Sequence, residues 1–504
     1  MERNNLFATA LKKESHWTLT ENGERALNTT GESCLDLFAT IGALRNTDEV
    51  RICGLFEEAY REDPLTATKI LFYGRDVRGG LGERKTFRTL LHYNAVCHPE
   101  CIEPNIPLIG FFGRFDDLYF LIGTKLEDKM WSYMKSVLLS DLSLMEDGKP
   151  CSLLAKWIKT PDASSKKTKA LGILTAKKLG YSVYEFKRIL RKLRRYIDVT
   201  EVKMSQNRWS EIDYAAVPSR AMNLYRAAFP RHDFDRFSEY LGRVETGKEK
   251  INASTLYPYD LIEKLFGDGY SRLSFHEDPV VEAQWRALPE YVEPGTNAIV
   301  IADTSGSMMC SNGRPLYSAI GLAIYFAEHN TGAFHNLFMS FSDDSTVHEL
   351  KGATLAQKLR SIDMSDWGGS TNCKAAFKNV LDIATKNHVP ASEMVKSIVI
   401  ISDMEFNHCD GSYGYGDGNW TFYDKMKAEY AAHGYEIPNV IFWNVNSRND
   451  VFHADSTKKG VQLVSGQSAS TFKNLVGCIG FTPLEMMRKV IDSERYDIIT
   501  IAES

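Results

Sequence analysis

Asp303, Ser305 and Ser307 stand at alternate positions in Asn297–Met308, NAIVIADTSGSM, with Gly306 between the serines. Three small oxygen donors at this spacing, without Cys or His among them, suit a hard cation. Mg²⁺ (or Mn²⁺) fits a site finished by waters and by residues from other loops. Two further oxygen donors stand downstream. Thr371 lies in the loop Trp367-Gly368-Gly369-Ser370-Thr371-Asn372, and Asp403 closes the apolar run Ser397–Ser402, SIVIIS. Hydrolytic chemistry has little support in the same residues. Ser305 and Ser307 have no recognisable His base, and the GxSxG pattern of a nucleophile elbow is absent.

These residues need strands to hold them. Ala298–Ala302 is a short unbroken apolar run, as expected of a parallel strand covered on both faces, and Ser397–Ser402 repeats the pattern. Open α/β sheets carry their ligands at the C-terminal ends of such strands, where all five residues would lie. From Ile299 onward the chain alternates strands and helices. Strands are expected at Asn336–Phe341, Thr346–Leu350, Asn439–Val445 and Val461–Val464, and helices from about Leu316, at Cys373–Ala384, Tyr423–Ala432 and Pro483–Ile491. His408–Trp420, rich in glycine, follows Asp403 beside the candidate site and reads as a gate or a tolerated insertion.

DxSGS, then Thr in a Gly-rich loop, then Asp closing an apolar strand resembles the metal-ion-dependent adhesion site of a von Willebrand factor A domain. The resemblance implies that the two serines and the threonine bind metal directly, that the aspartates act largely through water, and that the sixth position takes water or a partner's carboxylate.

Residues 1–292 read differently, as helix after helix, and Tyr291–Gly295 marks the junction with a second domain, 293–504. Asp63-Pro64 opens one helix with an N-cap and a proline in its first turn. Others are expected near Leu81–Val96, Glu127–Met145, Lys166–Leu179, Val183–Ile197, Ser219–Phe229 and Tyr259–Phe266. Each domain is expected to fold separately.

Charge in this half is concentrated. Residues 156–208 hold fifteen Lys/Arg against four Asp/Glu in a chain of net charge −5. At the centre, Phe186, Ile189, Leu190, Leu193 and Ile197 form a buried stripe, and Lys187, Arg188, Arg191, Lys192, Arg194 and Arg195 fill most of the remaining surface. Such a face is either a solvated face or a surface for an anionic partner. RNA is the expected partner, and a membrane is not, because no apolar insertion face accompanies the charge. A second basic stretch, Arg75–Lys85, carries Arg75, Arg78, Arg84 and Lys85 on a Gly-rich turn entering a helix, where phosphate oxygens could be held.

RDVRGGLGERKTFR, GRFDDL (Gly113–Leu118), SLLAKWI (Ser152–Ile158) and NRWSEIDYAAVPSRA (Asn207–Ala221) resemble an uncharacterised bacterial and phage family related to the TROVE module of Ro autoantigens. The resemblance implies an all-helical, HEAT-like repeat domain joined to a doubly wound von Willebrand A domain. It also implies a non-enzymatic protein that binds small noncoding, structured or misfolded RNA. The alternatives are an adaptor whose metal captures an acidic residue of a protein partner, and a structural or packaged protein of a phage.

At 504 residues, 43% hydrophobic and 25% charged, the chain has the composition of a soluble multidomain protein. Nine scattered cysteines fit reduced thiols, and Cys97-His98 with Cys101 lacks the second pair of a zinc site. No signal-peptide core or 18-residue apolar span is seen, so a cytoplasmic location, in a bacterial or phage-infected cell, is expected.

Overall fold

The computed structural model describes residues 16–266, 275–365, 367–408, 421–475 and 478–502. Six strands form one sheet: β3 (Ala298–Asp303), β4 (Leu337–Phe341), β5 (Ser345–Glu349), β6 (Ser397–Ser402), β7 (Asn439–Asn444) and β8 (Val461–Ser465), in the order β5-β4-β3-β6-β7-β8. All neighbours run parallel except β4 and β5, which form an antiparallel edge hairpin. β3 and β6 are buried along their whole length, as two-sided cover demands of a central strand, and pair with Ile299 opposite Ile398 and Ile301 opposite Ile400. The chain leaves β3 toward β4 on one side and reaches β6 on the other. The crevice of this switch therefore opens at the ends of β3 and β6, where Asp303 and Asp403 stand.

The helix Cys310–His329 covers one face and is almost wholly buried. Its first turn is interrupted by left-handed backbone at Ser311, Asn312 and Gly313, so the regular helix starts near the Pro315-Leu316 position expected from the sequence. Helices Cys373–Lys386 and Phe422–Ala432 belong to the other face, and Pro483–Ile491 has its expected limits. The loop His408–Trp420 lies outside the described residues except for His408.

The other half is helical, with Glu49–Glu62, Pro64–Arg75, Lys85–Cys97, Glu127–Glu146, Lys166–Leu179 and Val183–Tyr196 as its longest members before Phe234–Glu245. Local signals set their limits. Asp63 accepts from the Thr66 amide ahead of Pro64, Ser182 and Glu185 form a capping box, and Gly180, at φ +84°, ends Lys166–Leu179. Three expectations are corrected. The segment Leu81–Arg84 is not helical and the helix starts at Lys85. Ser219–Phe229 is broken into Ser219–Tyr225 and Ala228–His232, and the helix expected over Tyr259–Phe266 is the short Pro258–Ile262. A hairpin unforeseen in this half, β1 (Trp17–Leu19) with β2 (Arg25–Leu27), precedes the helices.

The two halves also share packing that the sequence does not announce. One continuous apolar core runs from Leu35, Phe38 and Leu71 through Trp443 and Val464 to Met486 and Tyr496. The helix Ser33–Thr40 lies against β8. The Gly42 amide donates to Ser465 Oγ at 3.0 Å, and Ser465 Oγ donates to the Phe38 carbonyl at 3.2 Å. β2 continues onto the sheet half through paired backbone bonds between Leu27 and Phe452, at 2.9 and 2.8 Å. The last residues return to the helices, where Tyr496 and Arg495 bond Asp76 and the Thr500 carbonyl accepts from Asn105.

Two outcomes are expected. A fragment of residues 293–504, which leaves Trp443 and Val464 without their helical cover, should show no cooperative melt where the full chain does. A Cβ at Gly42 would come within 2.6 Å of the Gly466 backbone, so Gly42→Val should destabilise the full chain by about 1–3 kcal/mol in urea unfolding, the usual cost of overpacking.

Candidate functional site

All five residues singled out as metal ligands meet at the ends of β3 and β6. Asp303, Ser305, Thr371 and Asp403 are buried and Ser307 is half-buried. The loop after β3 turns back on Asp303, whose Oδ1 accepts from the Ser305 amide at 2.9 Å while Oδ2 accepts from Ser402 Oγ at 2.5 Å. Ser305 Oγ and Ser307 Oγ are 3.2 Å apart, and Ser307 also reaches Asp403. The Gly-rich loop is bound to this turn by two backbone bonds, Gly306 to the Gly369 carbonyl and Gly368 to the Thr304 carbonyl, each 2.9 Å. Thr371 is fixed from behind, its amide donating to Asn407 Oδ1 at 3.1 Å and its carbonyl accepting from the Asn407 amide at 2.8 Å.

Burial raises the pKa of Asp303 to about 7, with the neighbouring charge of Asp403 adding to the shift. Burial raises Asp403 as well, opposed by the Arg448 guanidinium. Among the described residues Arg448 is the cation that pairs with this carboxylate pair, and the all-oxygen donor set suits a hard divalent ion. Among the described residues no group of three or more His, Cys, Asp or Glu is placed to hold a metal ion; the site at β3 and β6 offers two carboxylates and three hydroxyls instead. His98, which follows Cys97, bonds Glu57 at 2.7 Å.

Several residues of the site escaped sequence reasoning. Arg448, from the loop after β7, reaches Asp403 at 3.0 Å and Glu21 at 2.5 Å. The tip of the β1–β2 hairpin lies over the same end of the sheet. The Glu21 amide donates to Glu405 at 2.7 Å, Asn22 Nδ2 donates to the Glu405 carbonyl at 2.5 Å and to Thr371 Oγ1 at 3.4 Å, and Asn449 bridges Glu21 and Glu405. Glu405 and Asn407, alternating after Asp403, carried a signal in their spacing. Glu21 and Asn22 carried none, being more than 340 residues from their partners.

The basic residues divide into two sets. Arg75 is fully buried and its Nε donates to Asp117 at 2.8 Å, so it is a core ion-pair residue and not a phosphate ligand. Arg194 is corrected likewise. Its Nε and Nη2 donate to the carbonyls of Ala155 and Ile158 at 2.7 and 3.0 Å, closing the short helix Leu154–Trp157. Lys187 and Lys192 lie near Asp162 and Glu146, at 3.4 and 3.9 Å. Arg78 and Lys85, both exposed, donate to the carbonyls of Phe111 and Arg45. Arg188, Arg191, Arg195 and Arg84 are exposed, and among the described residues no carboxylate pairs with them. On the helix Val183–Tyr196, Phe186, Leu190 and Leu193 are buried as expected, while Ile189 and Ile197 are only half-buried.

Residues 20–143 and 151–294, together more than half of the chain, match the family described as Domain of unknown function (DUF2828). The chain belongs to the DUF2828 family. In this DUF2828 protein the sheet half, residues 297–495, matches a second description, Domain of unknown function (DUF7788). The protein is 28% identical over 517 residues to an uncharacterised protein of Acanthamoeba polyphaga mimivirus, an alignment covering 94% of this chain and 87% of that one. Among solved structures, the crystal structure of the Deinococcus radiodurans Ro (RSR) protein is similar over 91% of this chain and 93% of that chain. Its identity is 13% and its TM-score 0.32. Among the described residues no helix is long and apolar enough to cross a membrane.

His453 packs beside the site, its Nε2 3.0 Å from the Met404 carbonyl, and burial lowers its pKa to about 4. Burial does the same to His348, bonded to Ser340, also to about 4. Both lie below the ordinary value near 6.5, so between these limits the unfolded chain binds more protons. Their contribution is complete above about pH 6.5 and is lost as pH falls toward 4. Asp303, raised to about 7, acts in the opposite direction over the same range, so the histidine contribution is read from the variant: on going from pH 7.5 to pH 5 the urea midpoint of His453→Gln should gain on that of the parent.

Proposed function

We propose that this protein is a non-enzymatic RNA-binding protein that grips RNA through phosphates on the helical half. The observation that carries the reading is the outer face of the helix Val183–Tyr196, where Arg188, Arg191 and Arg195 are exposed without carboxylate partners among the described residues. On the same helix Lys187 and Lys192 lie near Asp162 and Glu146, so the three arginines are the part of the basic face left open to an anionic partner. Arg188, Arg191 and Arg195, at i, i+3 and i+7 of the helix, fall on one face and are left unpaired, where they could neutralise phosphates. The likeness of the sequence motifs to the TROVE-related family supports RNA over other polyanions, and a HEAT-like reading of the stacked helices.

In the same proposal Asp303, Ser305, Ser307, Thr371 and Asp403 hold Mg²⁺ (or Mn²⁺), as in a von Willebrand A domain. The ion supplies the positive charge that the two buried carboxylates lack. Its role is to fix the β3 turn, the Gly-rich loop and the hairpin tip relative to one another. Capture of a partner's acidic residue at the metal is the weaker reading, because Glu21, Glu405 and Asn449 already occupy the ground beside Asp403.

Two measurements test these points. Filter binding of a small structured RNA over a salt series should give a steep log–log slope. Replacing Arg188, Arg191 and Arg195 together by Gln should reduce its magnitude by about 2, at roughly 0.7 to 0.9 per phosphate contact; an unchanged slope and affinity would refute the assignment. Separately, millimolar Mg²⁺ should raise the melting temperature of the parent and leave Asp303→Ala unmoved. An equal rise in both would remove the metal from the proposal.

A further inference from the structure

Three motifs far apart in sequence, Arg75–Arg88, Gly113–Leu118 and Ser152–Ile158, converge on one patch of the helical half. Two buried carboxylates organise it. Asp117 accepts from Arg75 Nε at 2.8 Å and Arg88 Nε at 2.6 Å. Asp116 accepts from Arg114 at 2.8 and 2.5 Å and lies 3.4 Å from Lys159 Nζ. Four cations thus share two anions. Arg84 adds a fifth, close enough to Arg88 and Arg114 to feel their charge, and its exposed side chain has no acceptor among the described residues. The patch therefore carries an excess of about three positive charges with its cations already fixed in place.

The patch also has planar surfaces. The Arg114 guanidinium lies 3.8 Å over the Trp157 ring, held by two bonds to Asp116, and Arg88 lies 4.9 Å over the ring of exposed Phe120. Arg194, by bonding the Ala155 and Ile158 carbonyls, attaches the helix Val183–Tyr196 to the segment that carries Trp157. Lys187 and Arg191 follow Arg194 around that helix, on the edge nearest this segment, so basic surface continues from one locus to the other.

We propose that this patch is a single-stranded RNA anchor, in which Arg84 and Lys159 hold a backbone phosphate and a neighbouring base stacks on the half-buried Arg114 guanidinium, backed by Trp157. The inference rests on the RNA-binding reading above and adds a strand type and a site to it. Guanidinium and aromatic planes stack any unpaired base, whereas a duplex keeps its bases inside. An acidic peptide would use the charge but not the planes. For Arg84, partial burial of the head group and the like charges of Arg114 and Arg88 lower the pKa, and a bound phosphate opposes all of these.

The test uses the full chain, fluorescence anisotropy, a labelled oligouridine and a matched RNA duplex. Arg84→Gln touches no internal bond, so it should fold as the parent does. It should weaken oligouridine binding several-fold and reduce the log–log salt slope by about 0.7, while Arg84→Lys restores the slope. Arg114→Lys, keeping the charge without the plane, should weaken oligouridine several-fold and leave duplex binding unchanged. If Arg84→Gln binds oligouridine as the parent does while the Arg188/Arg191/Arg195 variant fails, RNA binding stands and this anchor is wrong. Displacement of the RNA by inorganic phosphate at matched ionic strength would make the patch a free-phosphate site and overturn the proposal. A parent that binds neither RNA overturns both readings.

Discussion

The two halves meet backbone to backbone at Gly42 and Gly466, where a Cβ on the first would lie 2.6 Å from the second. No side chain intervenes, so the backbone following Ser33–Thr40 lies directly on the chain leaving β8, and Ser465 ties the two with both its hydrogen bonds. That contact sets the position of everything beyond it. Thr47 and Arg51 reach the Ser447–Asp450 loop because the seam is narrow, and the loop in turn holds Arg448 against Asp403. The candidate metal site thus depends on packing some way from its own ligands.

A second regularity concerns cations. Among the described residues, Arg75 and Arg88 are received by Asp117, Arg194 by the carbonyls of Ala155 and Ile158, and Arg495 by Asp76. Breaking such a pair on one side leaves an uncompensated charge in low dielectric, so these arginines belong to stability. Arg84, Arg188, Arg191 and Arg195 are free of that duty. Sorting by partner, not by sequence clustering, separates the two groups, and it divides the basic helix itself between Arg194 and its neighbours.

This explains how much could be read beforehand. The apolar runs of β3 and β6, the alternation of strand and helix after Ile299, and the capped limits of Lys166–Leu179 and Pro483–Ile491 are local properties and were legible. So was the meeting of Asp303, Ser305, Ser307, Thr371 and Asp403, because strand ends of one parallel sheet must share an edge. Arg75 and Arg194 were misassigned because Asp117 and the Leu154–Trp157 helix end are distant in sequence. The β1–β2 hairpin went unnoticed because three-residue strands leave almost no pattern, and its register is set by Phe452 and Glu405 far downstream. The packing of the first helices on the sheet half was hidden for the same reason: an apolar edge such as β8 does not reveal in sequence what covers it.

The hairpin's partnership with Phe452 and the Asp403 loop has a consequence for synthesis. A ribosome adding about 5–20 residues per second exposes Trp17–Leu27 tens of seconds before Phe406 and Phe452 exist. During that interval the first helices present Leu35, Phe38 and Leu44 without the strand they are shaped to cover. Nascent chains of this protein thus carry an adhesive surface through most of translation, and their yield in the cell should depend on holding chaperones more than on the final stability of the fold.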